Sequence, residues 1–174
     1  RVAALDERVA DASHAEQRID ASADLRGRMR HEGTDTTASL PPHGSPGLVF
    51  LATIRPDGGP RLHPVCANIV GDDLCLLIID SPERGDLLRD GRFALHTFPP
   101  ADRDDELYLT GRATHSEDEA LLERVVAAPH ASGATTSGDE MLFVLDLERA
   151  LYARHAERGT EGAFPPEYLR WRAT

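Results

Sequence analysis

The sequence predicts one mainly β domain, a β-barrel of antiparallel strands with α additions. Short runs of apolar and β-branched residues are separated by turns rich in Gly, Pro and Asp, consecutive runs lie close enough for hairpins, and only two helical patterns interrupt them. The 174 residues suffice for one hydrophobic core and are too few for a second full domain.

The first strands follow one another closely. Residues 48–54 form an apolar run, a turn rich in Pro and Gly follows, and residues 62–70 and 74–79 make two further runs with Gly71 between them. We therefore expect an antiparallel meander of three strands.

A short helix is predicted next. Ser81 suits an N-cap, Pro82 suits the first helical position, and Gly91 suits the residue that ends a helix, which gives a helix from Pro82 to Asp90. A second helix is predicted after residue 115, where Ser116 to Glu119 match a capping box. The other predicted strands are 93–98, 106–115, 141–147 and 151–153, with a short terminal segment at 168–171.

The two ends of the chain differ in composition. Residues 2–30 are rich in Ala, Asp, Glu and Arg with sparse apolar positions, which favours one or two peripheral helices, and residues 31–46 have the composition of a linker. We therefore divide the chain into an N-terminal helical segment and linker (1–46) and a barrel domain (47–174). A mobile loop is predicted at 131–138.

Charge and cysteine content exclude several classes of function. The 30 acidic residues outnumber the 19 basic ones, and the net charge of −11 disfavours nucleic acid and anionic membranes as partners. No apolar run approaches the ~20 residues of a membrane span. Cys66 and Cys75 are too few for a disulfide framework, so we expect reduced thiols in a cytoplasmic protein. No metal-ligand spacing is found, and every basic residue other than histidine is Arg.

Several segments resemble the FMN-binding split barrels of the pyridoxamine 5'-phosphate oxidase-like family. They are Leu51 to Thr53 followed by Asp57 to Val65, Ser81 to His96, Leu109 to Ala113, and Trp171 with Arg172. The resemblance implies a six-stranded antiparallel Greek-key split β-barrel with peripheral helices. It also implies a homodimer with FMN in a cleft at the interface; some relatives use a deazaflavin coenzyme, some bind haem, and some have no known ligand.

The residues of the expected phosphate site can be named from this resemblance. Arg61 and His63 are two apart on a strand and face the same side, so both can approach one anion, or both can belong to an exposed strand face. Ser81 begins the short helix, whose free N–H groups suit a phosphate, and Arg84 is the nearest cation on that helix.

The remaining site residues would surround the flavin ring and the substrate. Val65 and Cys66 are expected beside the ring, although an ordinary strand interior explains them equally. His96 and Trp171 are expected near the substrate, or as packing residues. No catalytic acid or base is identified, because in such an enzyme the flavin carries the chemistry.

One departure from the family pattern bears on the cofactor. Glu83 stands where many relatives carry a phosphate-pairing Lys, and Gly85 where Arg is frequent. The loss of one charged contact weakens phosphate binding by ~10- to 150-fold. The sequence thus leads to two hypotheses: an FMN- or deazaflavin-dependent oxidoreductase acting on a small molecule, and a split barrel that binds haem, another ligand or no cofactor.

Overall fold

The computed structural model describes residues 48–97, 104–127, 136–156, 159–161 and 164–173. The predicted N-terminal helices and linker, and most of the predicted 131–138 loop, lie outside these residues. The elements are β1 (Leu48–Ile54), β2 (Pro60–Val70), β3 (Asp73–Ile78), α1 (Pro82–Arg89), β4 (Arg92–Thr97), β5 (Glu106–His115), α2 (Glu119–Ala127), β6 (Met141–Arg154) and β7 (Glu167–Arg172).

The first six strands close into a barrel. They pair in the order β3-β2-β1-β4-β5-β6, every pairing is antiparallel, and β3 also pairs with β6. The predicted fold class, a mainly β six-stranded antiparallel barrel with α additions, is therefore confirmed. The predicted terminal segment forms a seventh strand, β7, which pairs with the second half of β6 outside the barrel.

The two strands predicted at 141–147 and 151–153 are one strand. Thr110 of β5 pairs with Arg149 and Gly111 with Leu147, so Glu148 is an extra residue that forms a β-bulge. Before the bulge the odd-numbered residues of β6 face the barrel interior, and after the bulge the even-numbered residues do. The inward-facing core residues of β6 are Phe143, Leu145 and Leu147, then Ala150 and Tyr152.

Strand β3 is buried on both faces. Leu74, Leu76 and Ile78 belong to the core inside the barrel, whereas Cys75 packs outside it in a second cluster beneath α2. A strand covered on both sides has no polar face, which explains the continuous apolar run in this segment.

The helix boundaries agree with the predicted ones to within a residue or two, but the capping contacts differ. Ser81 is the N-cap of α1, yet its hydroxyl donates to the Ile79 carbonyl (3.1 Å) and makes no capping hydrogen bond. Asp118, and not Ser116, caps α2, because its Oδ1 accepts from the Leu121 N–H at 3.0 Å. Gly91, with φ of 74°, follows α1 as predicted.

None of the described helices has the length and apolar character needed to cross a bilayer. Within the same part of the chain, no group of three or more His, Cys, Asp and Glu side chains could hold a metal ion.

Candidate functional site

A cleft opens where β2 and β3 diverge. These strands pair only between residues 67–70 of β2 and 73–76 of β3. Beyond this point residues 60–66 of β2 run beside β1, while residues 75–78 of β3 pair with β6. The opening between the two strands is therefore a consequence of how the barrel closes.

The cleft has a volume of about 240 Å³. Its walls come from β2, the end of β3, the first turn of α1 and the segment before β6. The lining residues are His63, Pro64, Val65, Cys66, Asn68, Leu77, Ile78, Ile79, Glu83, Thr136 and Glu140.

Three of the predicted cofactor residues lie in this cleft, all on β2. His63, Val65 and Cys66 are among the lining residues. Val65 also packs against the barrel core, as the alternative of an ordinary strand interior predicted. Cys66 is half-buried.

Glu83 is a buried carboxylate on the wall of the cleft. Its residue is 4% exposed, and its Oε1 lies 3.4 Å from Nε2 of His63. Among the described residues, the buried Oε2 atom has no hydrogen-bond partner. The first turn of α1 favours an acid, because the N-terminus of a helix carries a partial positive charge.

Arg61 is held by a second buried carboxylate of α1. Asp86 is 2% exposed and its Oδ2 accepts hydrogen bonds from Arg61 Nε (2.7 Å) and Thr53 Oγ1 (3.0 Å), while its Oδ1 accepts from Arg89 Nη1 (3.1 Å). Burial acts to raise the pKa of Asp86, but the hydrogen bonds from Arg61, Thr53 and Arg89 together hold it below the ordinary value. Arg61 therefore lies outside the cleft wall and is already paired.

Arg84 and Ser81 also make contacts within the protein. Arg84 forms an ion pair with Asp80 and donates to the Asp139 carbonyl at 3.0 Å, which ties α1 to the segment before β6. The Ser81 hydroxyl donates to Ile79 as described above. Neither residue is part of the cleft wall.

Glu140 is the second carboxylate of the cleft. Its Oε1 accepts from the Ser137 N–H (2.6 Å) and its Oε2 from the Gly138 N–H (2.8 Å). Burial tends to raise the pKa of Glu140, and these backbone hydrogen bonds lower it below its ordinary value. Glu140 is thus an ionised group at neutral pH.

His96 and Trp171 lie elsewhere on the protomer. His96 is on the outer face of β4, with Nδ1 2.7 Å from the Thr97 carbonyl oxygen and Nε2 3.9 Å from Glu106. Trp171 is on β7, opposite Ala150 of β6, and packs against the edge of the barrel core.

Each cation predicted for the phosphate therefore faces a carboxylate. Arg61 and His63 do point to the same side of β2, as the strand period predicted, and they meet Asp86 and Glu83 respectively. Asp86 was not predicted as the partner of Arg61. The sequence does contain a signal for these contacts. Glu83 and Asp86 are three residues apart and therefore share one face of a helix.

The two cysteines have different surroundings. Cys75 is fully buried, and burial, with a smaller contribution from Asp73, raises its pKa to about 11. Its thiol stays protonated at neutral pH, which makes it inert. Of the two cysteines, only Cys66 lines the cleft.

The closed strands and the diverging β2–β3 pair define a split β-barrel. The predicted resemblance to pyridoxamine 5'-phosphate oxidase-like proteins is confirmed at the level of the fold. No protein-family model matches the sequence, and no curated protein matches it with significance.

Three solved structures illustrate this likeness. A haem-binding protein from Mycobacterium smegmatis is 20% identical with a TM-score of 0.54, and the match covers 83% of this chain and 56% of that protein. HutZ, the haem storage protein from Vibrio cholerae, is 16% identical with a TM-score of 0.52, over 72% of this chain and 89% of HutZ. A general stress protein 26 relative of the pyridoxinephosphate oxidase family from Clostridium acetobutylicum is 14% identical with a TM-score of 0.52, over 72% and 85%.

Proposed function

We propose that this chain is a flavin-dependent oxidoreductase that works as a homodimer on a small molecule. The observation that supports it is the cleft in the barrel seam, whose wall contains His63, Val65 and Cys66, three residues that the family resemblance associates with the cofactor. A flavin ring needs an apolar, shaped wall with backbone groups at its edge, and this stretch of β2 is free of β3 pairing.

The ring of a flavin fits these residues better than its phosphate does. Val65, Leu77 and Ile78 supply apolar surface, whereas the cleft end next to α1 carries Glu83 and Glu140. A phosphate at that end would meet two carboxylates. A flavin bound here would direct its phosphate away from Glu83.

The effect of Glu83 can be measured with FMN. Replacing Glu83 with Lys is expected to tighten FMN binding by ~10-fold or more, because the phosphate, which the wild-type carboxylate keeps away, can then turn toward α1 and accept a charge-assisted hydrogen bond from the lysine. Quenching of flavin fluorescence measures the affinities of wild type and variant. For the wild type, riboflavin is expected to bind at least as tightly as FMN.

Glu123→Lys is the matched control for this experiment. It makes the same charge change on the exposed side of α2, outside the cleft wall, and should leave FMN affinity within about twofold. If neither the wild type nor Glu83→Lys binds FMN or riboflavin, the flavin proposal is wrong.

The homodimer proposal rests on the outer face of β1, β2, β4 and β5. Leu62 is 63% exposed and lies in register with Ala52 and, across β1, with Ala94, so a large apolar side chain stands beside small ones. The next residues across these strands on the outer face include the exposed Tyr108, which lies opposite His96. A face of this kind suits contact with the same face of a second copy. Such a dimer would place His96 at the interface.

Light scattering tests the dimer. The wild type is expected to have about twice the monomer mass of 19.0 kDa, and Leu62→Asp is expected to shift it toward monomer, because a charge would be buried at the interface. Leu88→Asp is the control, since Leu88 is similarly exposed but lies on α1. A monomeric wild type would refute the proposal.

A second candidate is a split barrel that binds haem or another non-flavin ligand. The specific observation in its favour is that Arg61, His63 and Arg84 are each next to a carboxylate, which removes the cations of a flavin phosphate site. Two of the structural relatives described above also bind or store haem. A haem titration followed by the Soret band, alongside the flavin titration, separates the two candidates.

A further inference from the structure

The inner end of the cleft is defined as the part lined by His63, Glu83 and Glu140; α1 supplies Glu83, and the neighbouring Arg84 ties α1 to Asp139, next to Glu140. Its ionisable groups are one imidazole and two carboxylates. Glu140 uses both oxygens to accept backbone N–H groups, whereas Glu83 has one oxygen near His63 and one without a described partner. The electrostatic field of this end therefore favours a cation over an anion.

The arginines near this end are not available to reverse that preference. Arg61 donates to Asp86, which is buried, and Arg84 pairs with Asp80 and with the Asp139 carbonyl. Moving either one toward Glu83 would leave a carboxylate or a carbonyl without its present donor.

The unpartnered Oε2 of Glu83 is the strongest single indication of a ligand. Buried carboxylate oxygens in folded proteins almost always accept a hydrogen bond, because an unsatisfied one is costly. This atom is itself shielded from solvent, but its residue lines an open cleft, so a turn of the carboxylate would present the unpaired oxygen to an N–H donor of a bound molecule. A planar cation such as an amidinium suits a carboxylate particularly well.

The apolar part of the wall determines what kind of ligand body fits the cleft. Pro64, Val65, Leu77 and Ile78 line the cleft and offer an apolar surface beside the carboxylates. The volume of about 240 Å³ is below the roughly 300–1,000 Å³ of ligand sites. The part of a ligand that enters the cleft of one protomer is therefore small, with an apolar body and one polar end.

We propose that the inner end of the cleft binds a small organic cation with a flat apolar body, and that Glu83 Oε2 accepts a hydrogen bond from its cationic nitrogen. Glu83 is then the residue that selects a cation and rejects a phosphate or carboxylate. This inference concerns the same cleft as the proposed function but does not depend on flavin binding.

Three molecules of nearly equal shape test it: benzamidine, benzamide and benzoate. Backbone amide shifts of Val65, Cys66, Leu77 and Ile78, followed by NMR, report binding in the cleft. We expect benzamidine to bind ~10-fold or more tightly than benzamide, and benzoate to bind more weakly still.

Glu83→Gln identifies the residue responsible. It keeps the shape of the side chain and removes the charge, so the ratio of benzamidine to benzamide affinity should fall to about one. Glu123→Gln on α2 is the matched control and should leave the ratio unchanged. If Glu83→Gln does not fold, the order of the three probes on the wild type still decides the question.

The inference is overturned if benzoate binds as tightly as benzamidine, if none of the three shifts the cleft amides, or if the preference survives in Glu83→Gln. A protein that binds no flavin but shows the expected order would refute the proposed oxidoreductase and keep the cation site. A protein that binds flavin but does not show this order of probe affinities would refute the cation site and keep the proposed oxidoreductase.

Discussion

Replacing Asp86 with Ala is expected to lower the free energy of unfolding by about 3 kcal/mol. Asp86 is buried and accepts hydrogen bonds from Thr53, Arg61 and Arg89. Its removal leaves the Thr53 hydroxyl, itself 1% exposed, without this acceptor, and leaves Arg61 without its counter-charge. The loss is limited because both arginines can still reach water. Urea unfolding followed by the fluorescence of Trp171, the single tryptophan, measures it.

Asp90→Ala is the control for this prediction. Asp90 also pairs with an arginine, but the side chain of this partner, Arg92, is 60% exposed. Surface pairs contribute about 0–1 kcal/mol, so this variant should remain close to wild type. Equal losses in the two variants would mean that the Asp86 network adds nothing beyond a surface ion pair.

The Asp86 contribution should also depend on pH. Its pKa is lower in the folded protein than the ordinary value of an Asp side chain, so the folded state favours the ionised form. This stabilisation is present above the unfolded-state pKa and is lost as the pH falls through the folded-state value. The stability difference between wild type and Asp86→Asn should therefore shrink below about pH 4.

Local sequence signals account for most of the strands and both helices. The strands β1 to β5 follow from alternation and turn residues, because these patterns depend on nearest neighbours along the chain. The closing contact between β3 and β6 does not follow from them, since Cys75 and its partner Val144 are far apart in sequence. Closure was predicted only through the family resemblance.

The error at β6 has a specific physical cause. The bulge at Glu148 shifts the inward-facing positions by one residue, so the period-2 pattern breaks in mid-strand. Asp146, Glu148 and Arg149 add charge at the same place, and all three are exposed. A break in alternation that coincides with charged residues resembles a turn, and the sequence alone does not distinguish the two.

The candidate site was predictable on β2 and not on α1. The strand period places Arg61 and His63 on one side, and the structure has them so. Their partners depend on where α1 packs over the end of the barrel, which is decided by tertiary contacts. The sequence therefore indicated an acid, Glu83, near the start of α1, but not that Asp86 and Glu83 would each meet one of these residues.

The second large effect is expected at Gly111. A Cβ atom at this position would lie 1.9 Å from the Asp146 carbonyl oxygen and 2.9 Å from the Asp146 carbonyl carbon. Both are backbone atoms of the adjacent strand, so a side chain can be accommodated only if β5 and β6 separate. Gly111→Ala is therefore expected to lower the free energy of unfolding by roughly 3 kcal/mol or more, or to prevent folding.

Gly85→Ala is the matched control, with the opposite expected sign. Gly85 lies inside α1, its Cβ would meet nothing within 4 Å, and Ala is the better helix former by about 1 kcal/mol. Circular dichroism and urea unfolding of the two variants measure both changes. If Gly111→Ala folds with wild-type stability, the close approach of β5 and β6 at the bulge is wrong. The β6 register beyond Leu147, and the inward position of Ala150 and Tyr152, would then have to be reassigned, because both depend on the bulge.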